Sequence, residues 1–242
     1  MVDQSLEAVA EAMLMTYSLL ARDPDSGDFA AAAATGSLCV GGWVLRGDPR
    51  CGLSAAQGEL ASTLWGEGAL RAMAAGARAP AAVAAVVGAD RGRDWRQLAA
   101  LDTGGWSGQY TGAANQPWRG GLALTDLVVT GNRLAGPAVL DALLAAWQGA
   151  RALALAERLL AALEAAERAG SDRNGLRSAA LLIVSRRHAP LSLRIDAARR
   201  PLRALRALHA RTREAGYAAW FDRVPCLDHP ERPQPSGTGA LP

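Results

Sequence analysis

The sequence predicts an α+β fold, a four-layer αββα sandwich of two mostly antiparallel sheets. Three observations carry this. Period-two runs come in blocks separated by strong turns, the pattern of antiparallel hairpins. Segments with helical spacing come in pairs between those blocks, whereas a doubly wound sheet alternates strand and helix singly. Half of the 242 residues are apolar, so one large domain has material for a sizeable core.

Residues 3–15 read as a short amphipathic helix, with Leu6, Val9 and Met13 at helical spacing and acids opposite. Thr16 to Arg22 then turns to period two. Asp23-Pro24-Asp25-Ser26-Gly27 is a turn, and Asp28 to Thr35 is the returning strand. Leu38 to Leu45 and Cys51 to Ala56 suggest two more strands around Gly47-Asp48-Pro49. Helices are expected over 59–76 and 80–88, Pro80 suiting the first turn of the second. Strands follow over 94–101, 105–111 and 121–130. Pro137 opens another helix, and a longer one over 151–169 ends at Gly170, a residue suited to a C-cap. Strands over 178–185 and 191–195 precede an Arg-rich helix over 198–214. The Pro- and Gly-rich end of the chain has the composition of a segment without a core of its own.

Composition excludes some chemistry. The chain has no lysine, so Schiff-base and pyridoxal-phosphate catalysis are ruled out, and no cofactor is expected. The net charge of +3 is local: nine Arg fall between Arg186 and Glu214 against two acids. Nucleic acid can use such a patch. No aromatic residue interleaves it, and a solvated helix face is the expected reading. Three cysteines give no disulfide framework and suit a reducing compartment. With no run of about 20 apolar residues and no basic secretory start, a cytoplasmic protein without a membrane partner is expected.

Familiar catalytic motifs are missing. "GWSGQ" lacks nucleophile-elbow spacing, and "GNRLAG" has no Lys-Ser/Thr after it. His188, His209 and His229 are isolated, and Cys226-x-x-His229 alone falls short of the four ligands of a structural zinc, so no metal is expected.

Several stretches together carry a resemblance: "MTYSLLARDPDSGDFAAAAATGS", "RDWRQLAALDTGGWSGQYTGAANQPWRGG", "GNRLAGPAVLDAL" and "AGSDRNGLRSAALLIVS". They resemble the bacterial and archaeal family called domain of unknown function 1028, over about residues 15–208. That resemblance implies the fold of the N-terminal nucleophile (Ntn) hydrolases and their type of mechanism, without a substrate. In such enzymes a Ser, Thr or Cys becomes residue one, and its freed α-amine serves as base. The amine's pKa of about 7.7–8.0 leaves a useful neutral fraction near pH 7.

On this reading Thr16 is the nucleophile, and residues 1–15 are a removable leader or a misassigned start. A plain strand threonine fits the same position. Thr35 can hydrogen-bond the amine or cap its strand, Gln57 matches a glutamine of the family, and Arg46 stands where the family tends to have Trp. Ala56 replaces the family's Thr, and "RIDAARRPL" lacks its Asp-Asp-His run. Asn132, just before a helix start, is a candidate oxyanion donor, and Asn115 a candidate substrate contact; loop-fixing bonds are the alternative for both. By resemblance to proteasome subunits, Asp172 and Ser178 are candidates to orient the amine. Trp43, Trp65, Trp106 and Trp118 can line a pocket, an interface or the core. The expected activity is hydrolysis of a small amide or acylated amine, with a homo-oligomer as the assembly. A non-catalytic binding or assembly module is the alternative.

Overall fold

A computed structural model describes residues 15–170 and 175–232. Residues 3–14 of the expected helix and Asp172 lie outside these residues. Among the described residues, ten strands build two antiparallel sheets: β1 (Thr16–Arg22), β2 (Phe29–Thr35), β3 (Leu45–Asp48), β4 (Gly52–Gln57), β5 (Gln97–Asp102), β6 (Ser107–Thr111), β7 (Gly120–Leu124), β8 (Leu127–Asn132), β9 (Ser178–Val184) and β10 (Leu191–Ile195). The first sheet runs β10-β9-β2-β1-β8-β7 and the second β3-β4-β5-β6.

Strand alternation sorts side chains into layers. Tyr17, Leu19 and Ala21 of β1 face helices, while Leu20 faces the second sheet. The outer face of the first sheet packs against α4 (Ala138–Gly149), α5 (Leu155–Arg168) and α6 (Pro201–Thr212). The Tyr17 hydroxyl is satisfied there by donating to the Leu163 carbonyl at 3.1 Å. The second sheet lays Leu98 and Ala100 against α2 (Thr63–Ala74) and α3 (Ala79–Gly88). Between the sheets lie Leu20, Phe29, Leu53, Leu101 and Val128. The order is therefore helices, sheet, sheet, helices, a mixed α+β arrangement with two antiparallel sheets.

Three elements differ from the sequence expectation, each for a local reason. The apolar run 38–45 is not one strand: it folds into the short helix α1 (Val40–Trp43) and then β3. Cys39 has φ of 61° and breaks the strand. Gly41 lets the helical turn lie on the sheet, since a Cβ there would come within 2.7 Å of the Ala180 Cβ. The run 121–130 is a hairpin of β7 and β8, turned at Asp126 with φ of 60°, a conformation that Asp tolerates. Arg22 ion-pairs with Asp126 at 2.9 Å and fixes that turn. The Arg-rich helix stops at Thr212, and α7 (Ala215–Phe221) follows, its Tyr217 and Trp220 rings 5.3 Å apart. Five of the nine arginines between 186 and 214 sit in ion pairs, including Arg206 with Glu164 and Arg213 with Glu157. No helix among the described residues is long and apolar enough to cross a membrane.

His209 is buried on the inner face of α6. Burial holds its pKa below the ordinary 6.5; Arg213 and Arg206 act in the same direction and Glu157 opposes them. The unfolded chain takes up the proton first as pH falls, so this histidine's contribution to stability is full above about 6.5 and is lost on acidification through that window. Thermal midpoints of the native chain are expected to fall between pH 7 and pH 5 more steeply than those of His209→Gln. Equal slopes would show that His209 is not responsible.

Candidate functional site

One end of the inter-sheet layer changes from apolar to polar. Beyond Leu20 and Val128, β1 and β8 present Ser18 and Thr130 to each other, hydroxyl to hydroxyl at 2.9 Å. The next inward-facing positions form a row across four strands. Ser178 of β9 is register partner of Thr35, Thr35 of Thr16, and Thr16 of Asn132. Facing them from the second sheet are Gln57 and its register partner Gln97. Period two and strand register thus gather at one edge residues that are far apart in sequence.

A cleft of about 350 Å³ opens over this row. Its floor is Thr16, Thr35, Asn132 and Gln57. Val40, Trp43 and Val44 form one wall, and Gly58 to Ala61 with Arg133 form another. Leu38, Trp43 and Leu60 at the cleft are 53%, 55% and 56% exposed.

The hydroxyl geometry at Thr16 is directional. Thr35 Oγ1 lies 2.7 Å from the Met15 carbonyl, which can only accept, so Thr35 is the donor. The proton in the 3.0 Å Thr16–Thr35 contact therefore comes from Thr16 Oγ1. The Ser37 N–H donates to the same Thr35 oxygen at 3.2 Å. The Met15 carbonyl also accepts from the Gly36 N–H at 3.2 Å, and Met15 itself is buried. The peptide bond ahead of Thr16 thus has its carbonyl held by two donors.

Gln97 is the hub that joins the sheets. The two hydrogens of its Nε2 are shared among three acceptors, Thr111 Oγ1 at 2.8 Å, the Gly131 carbonyl at 2.9 Å and the Gly120 carbonyl at 3.0 Å. Three acceptors around that nitrogen fix the amide orientation. Its Oε1 accepts from Gln57 Nε2 at 2.6 Å and from Asn132 Nδ2 at 3.1 Å. Asn132 lines the cleft, and its Nδ2 has a second hydrogen that this bond does not use. On the cleft wall Arg133 Nε pairs with Glu59 Oε1 at 2.7 Å, and the Gln116 N–H donates to the same oxygen at 3.2 Å.

Thr16, Thr35, Asn132 and Gln57 are thus brought together. Ser178 stands in the same row but is used elsewhere: it donates to the Ser37 carbonyl at 2.8 Å and accepts from the Val40 N–H at 3.1 Å, bracing the turn that forms the cleft wall. Arg46 is not at the cleft. Its strand neighbour Leu45 faces the first sheet, so Arg46 points to the helical side and donates to the Gly42 and Leu45 carbonyls, both at 2.9 Å. Asn115 is a loop brace: its Nδ2 faces the Arg96 and Gly112 carbonyls at 3.0 Å, and its Oδ1 accepts from the Glu59 N–H at 3.0 Å. Gly136 and Pro137, at the helix start expected beside Asn132, do not line the cleft. Of the tryptophans, only Trp43 lines it. Trp65 is buried and donates to Asp90 at 2.8 Å, Trp106 lies under the Arg78 guanidinium at 4.3 Å, and Trp118 packs on the outer core.

Sequence reasoning missed Gln97, Glu59 and Arg133. The one available signal was a polar residue opening the apolar strand "QLAALD", at an inward-facing position.

Residues 16–205 match the family described as a family of unknown function, DUF1028. A crystal structure of a Silicibacter pomeroyi protein from that family is similar, with 44% identity over 90% of this chain and 98% of that one, and a TM-score of 0.85. No curated protein matches the chain. With most of its length matched and this identity to a solved member, the chain belongs to the DUF1028 family.

Proposed function

We propose that the protein is an Ntn-type amide hydrolase, with Thr16 as nucleophile and its freed α-amine as base. The observation that carries this is the position of Thr16: the central residue of a polar row on the floor of a cleft, at the first residue of β1, with its hydroxyl hydrogen-bonded to Thr35. The family match begins at the same residue, which supports a working chain starting there. In the reaction Thr16 Oγ attacks the amide carbonyl while the neutral α-amine takes its proton. The amine then returns the proton to the leaving nitrogen, and water releases the acyl group by the same route. The free N–H of Asn132 supplies an oxyanion donor. The substrate is a small amide or acylated amine, and the assembly a homo-oligomer.

The mechanism requires the Met15–Thr16 bond to be absent, because an amide nitrogen is no base. Initiation at Met15 with removal of that residue is one route. Attack of Thr16 Oγ on the Met15 carbonyl is another: the hydroxyl proton passes to the Thr16 nitrogen as the C–N bond breaks, water then hydrolyses the resulting ester, and the Thr35 hydroxyl and Gly36 N–H on the carbonyl oxygen would stabilise the charge it develops. Either route frees the Thr35 hydroxyl from its acceptor beside the new amine. Intact mass and N-terminal sequencing of cell-made protein test the proposal: the fraction with amidase activity is expected to begin at Thr16.

A second reading, a non-catalytic binding module, draws on one observation. Met15 is buried in the outer core, so the bond ahead of Thr16 is part of the packed fold. Active protein that retains Met15 would contradict the hydrolase mechanism, and native protein that retains it without any activity would favour this second reading.

A further inference from the structure

Gln57 is tied down at one end only. Its Nε2 donates to Gln97 Oε1, whose own orientation is fixed by the three acceptors around Gln97 Nε2. A flipped Gln57 would set two carbonyl oxygens 2.6 Å apart, so its Oε1 points away from Gln97. That oxygen is buried and accepts no hydrogen bond among the described residues, although Gln57 lines the cleft. Buried acceptors in folded proteins almost always have a donor. The neighbouring Asn132 and Thr16 offer the complementary groups, a donor and a nucleophilic oxygen, on the same floor.

The rest of the cleft restricts what can bring the donor. Among the described residues the charged groups that line it are Glu59 and Arg133, paired with each other at 2.7 Å, so the walls favour an uncharged ligand. Leu38, Trp43 and Leu60 leave apolar surface exposed at the cleft. An apolar group resting there gains by leaving water.

We infer that Gln57 Oε1 accepts the N–H of the bound ligand, so that the site selects uncharged secondary amides carrying an apolar acyl chain over esters of the same shape. An ester places an oxygen lone pair against Gln57 Oε1 where an amide places a hydrogen. Gln57 is thereby a specificity-determining contact. The inference rests on the cleft being a small-amide site, but not on turnover there.

Binding to the full chain, with Met15 still attached, tests it without chemistry. Ligand-observed NMR titrations compare N-propylhexanamide with propyl hexanoate. The amide is expected to bind roughly tenfold or more tightly than the ester. In Gln57→Met the preference should disappear. The comparison of the two probes on the unaltered chain stands even where that variant does not fold. Equal affinity for both probes, as when only a water meets Gln57 Oε1, would overturn the inference. So would binding of neither probe, or a preference that survives in folded Gln57→Met. Preference for the amide with no hydrolysis by protein beginning at Thr16 would sink the hydrolase proposal and leave the role of Gln57 standing.

Discussion

Replacing Thr16 by alanine in protein that begins at residue 16 is expected to remove the proposed amide hydrolysis, by on the order of 10³–10⁶-fold in kcat. The change deletes the hydroxyl and the γ-methyl of Thr16, and the hydroxyl is hydrogen-bonded to Thr35 at 3.0 Å. Losing a hydrogen bond of that kind costs about 0.5–1.5 kcal/mol of stability, a small part of a typical 5–15 kcal/mol. Thr16→Ala is therefore expected to fold and to lose turnover, while Thr16→Ser keeps a hydroxyl and retains part of the rate. A folded Thr16→Ala protein with undiminished hydrolysis would remove Thr16 from the mechanism.

The second large effect falls on stability. Gln97→Leu keeps approximate shape but strips the joint between the sheets of every hydrogen bond it makes. Gln57 Nε2 and Asn132 Nδ2 lose their shared acceptor, and the carbonyls of Gly131 and Gly120 lose their donor. A stranded buried group costs about 1–3 kcal/mol, and partial access of water near Thr111 and Gly120 lowers the sum, so a loss of about 3–5 kcal/mol is expected. Urea unfolding reads this as a lower midpoint at unchanged slope. A loss under about 1 kcal/mol would mean that the network is replaceable. Because Gln97 orients Asn132 and Gln57, Gln97→Leu should also weaken amide binding in the fraction that remains folded.

The layered fold was legible because its cues are periodic and local. The Asp23–Gly27 turn between β1 and β2, Pro137 just before α4 and Gly170 after α5 each report on a few neighbouring residues. "LCVGGWVL" was misread because a short apolar run carries no period that separates strand from helix. What decides it is Gly41 lying against Ala180, more than a hundred residues away in sequence. The turn at Thr125-Asp126 went unseen because it has no glycine or proline to mark it.

At the site, Thr16, Thr35 and Asn132 were found through motifs, yet their meeting is a matter of register, which no single segment encodes. Gln97 was missed for the same reason. It becomes the hub only when β5 pairs with β4 so that it stands opposite Gln57, while β8 passes overhead. Arg46 and Asn115 show the reverse case. The family resemblance made both candidate substrate contacts, but alternation turns Arg46 to the helical side, and the carbonyls of Arg96 and Gly112 engage Asn115. Ser178 and Asn115 still shape the cleft, at one remove, by holding its walls.

The central claim is that Thr16 works only as a first residue. The most direct measurement compares two preparations, one beginning at Met1 and one at Thr16, each verified by intact mass, for release of p-nitroaniline from a series of N-acyl p-nitroanilides. Hydrolysis by the protein beginning at Thr16, and none by the protein that retains Met15, is the predicted result. Equal hydrolysis by both, or hydrolysis by neither, would contradict it.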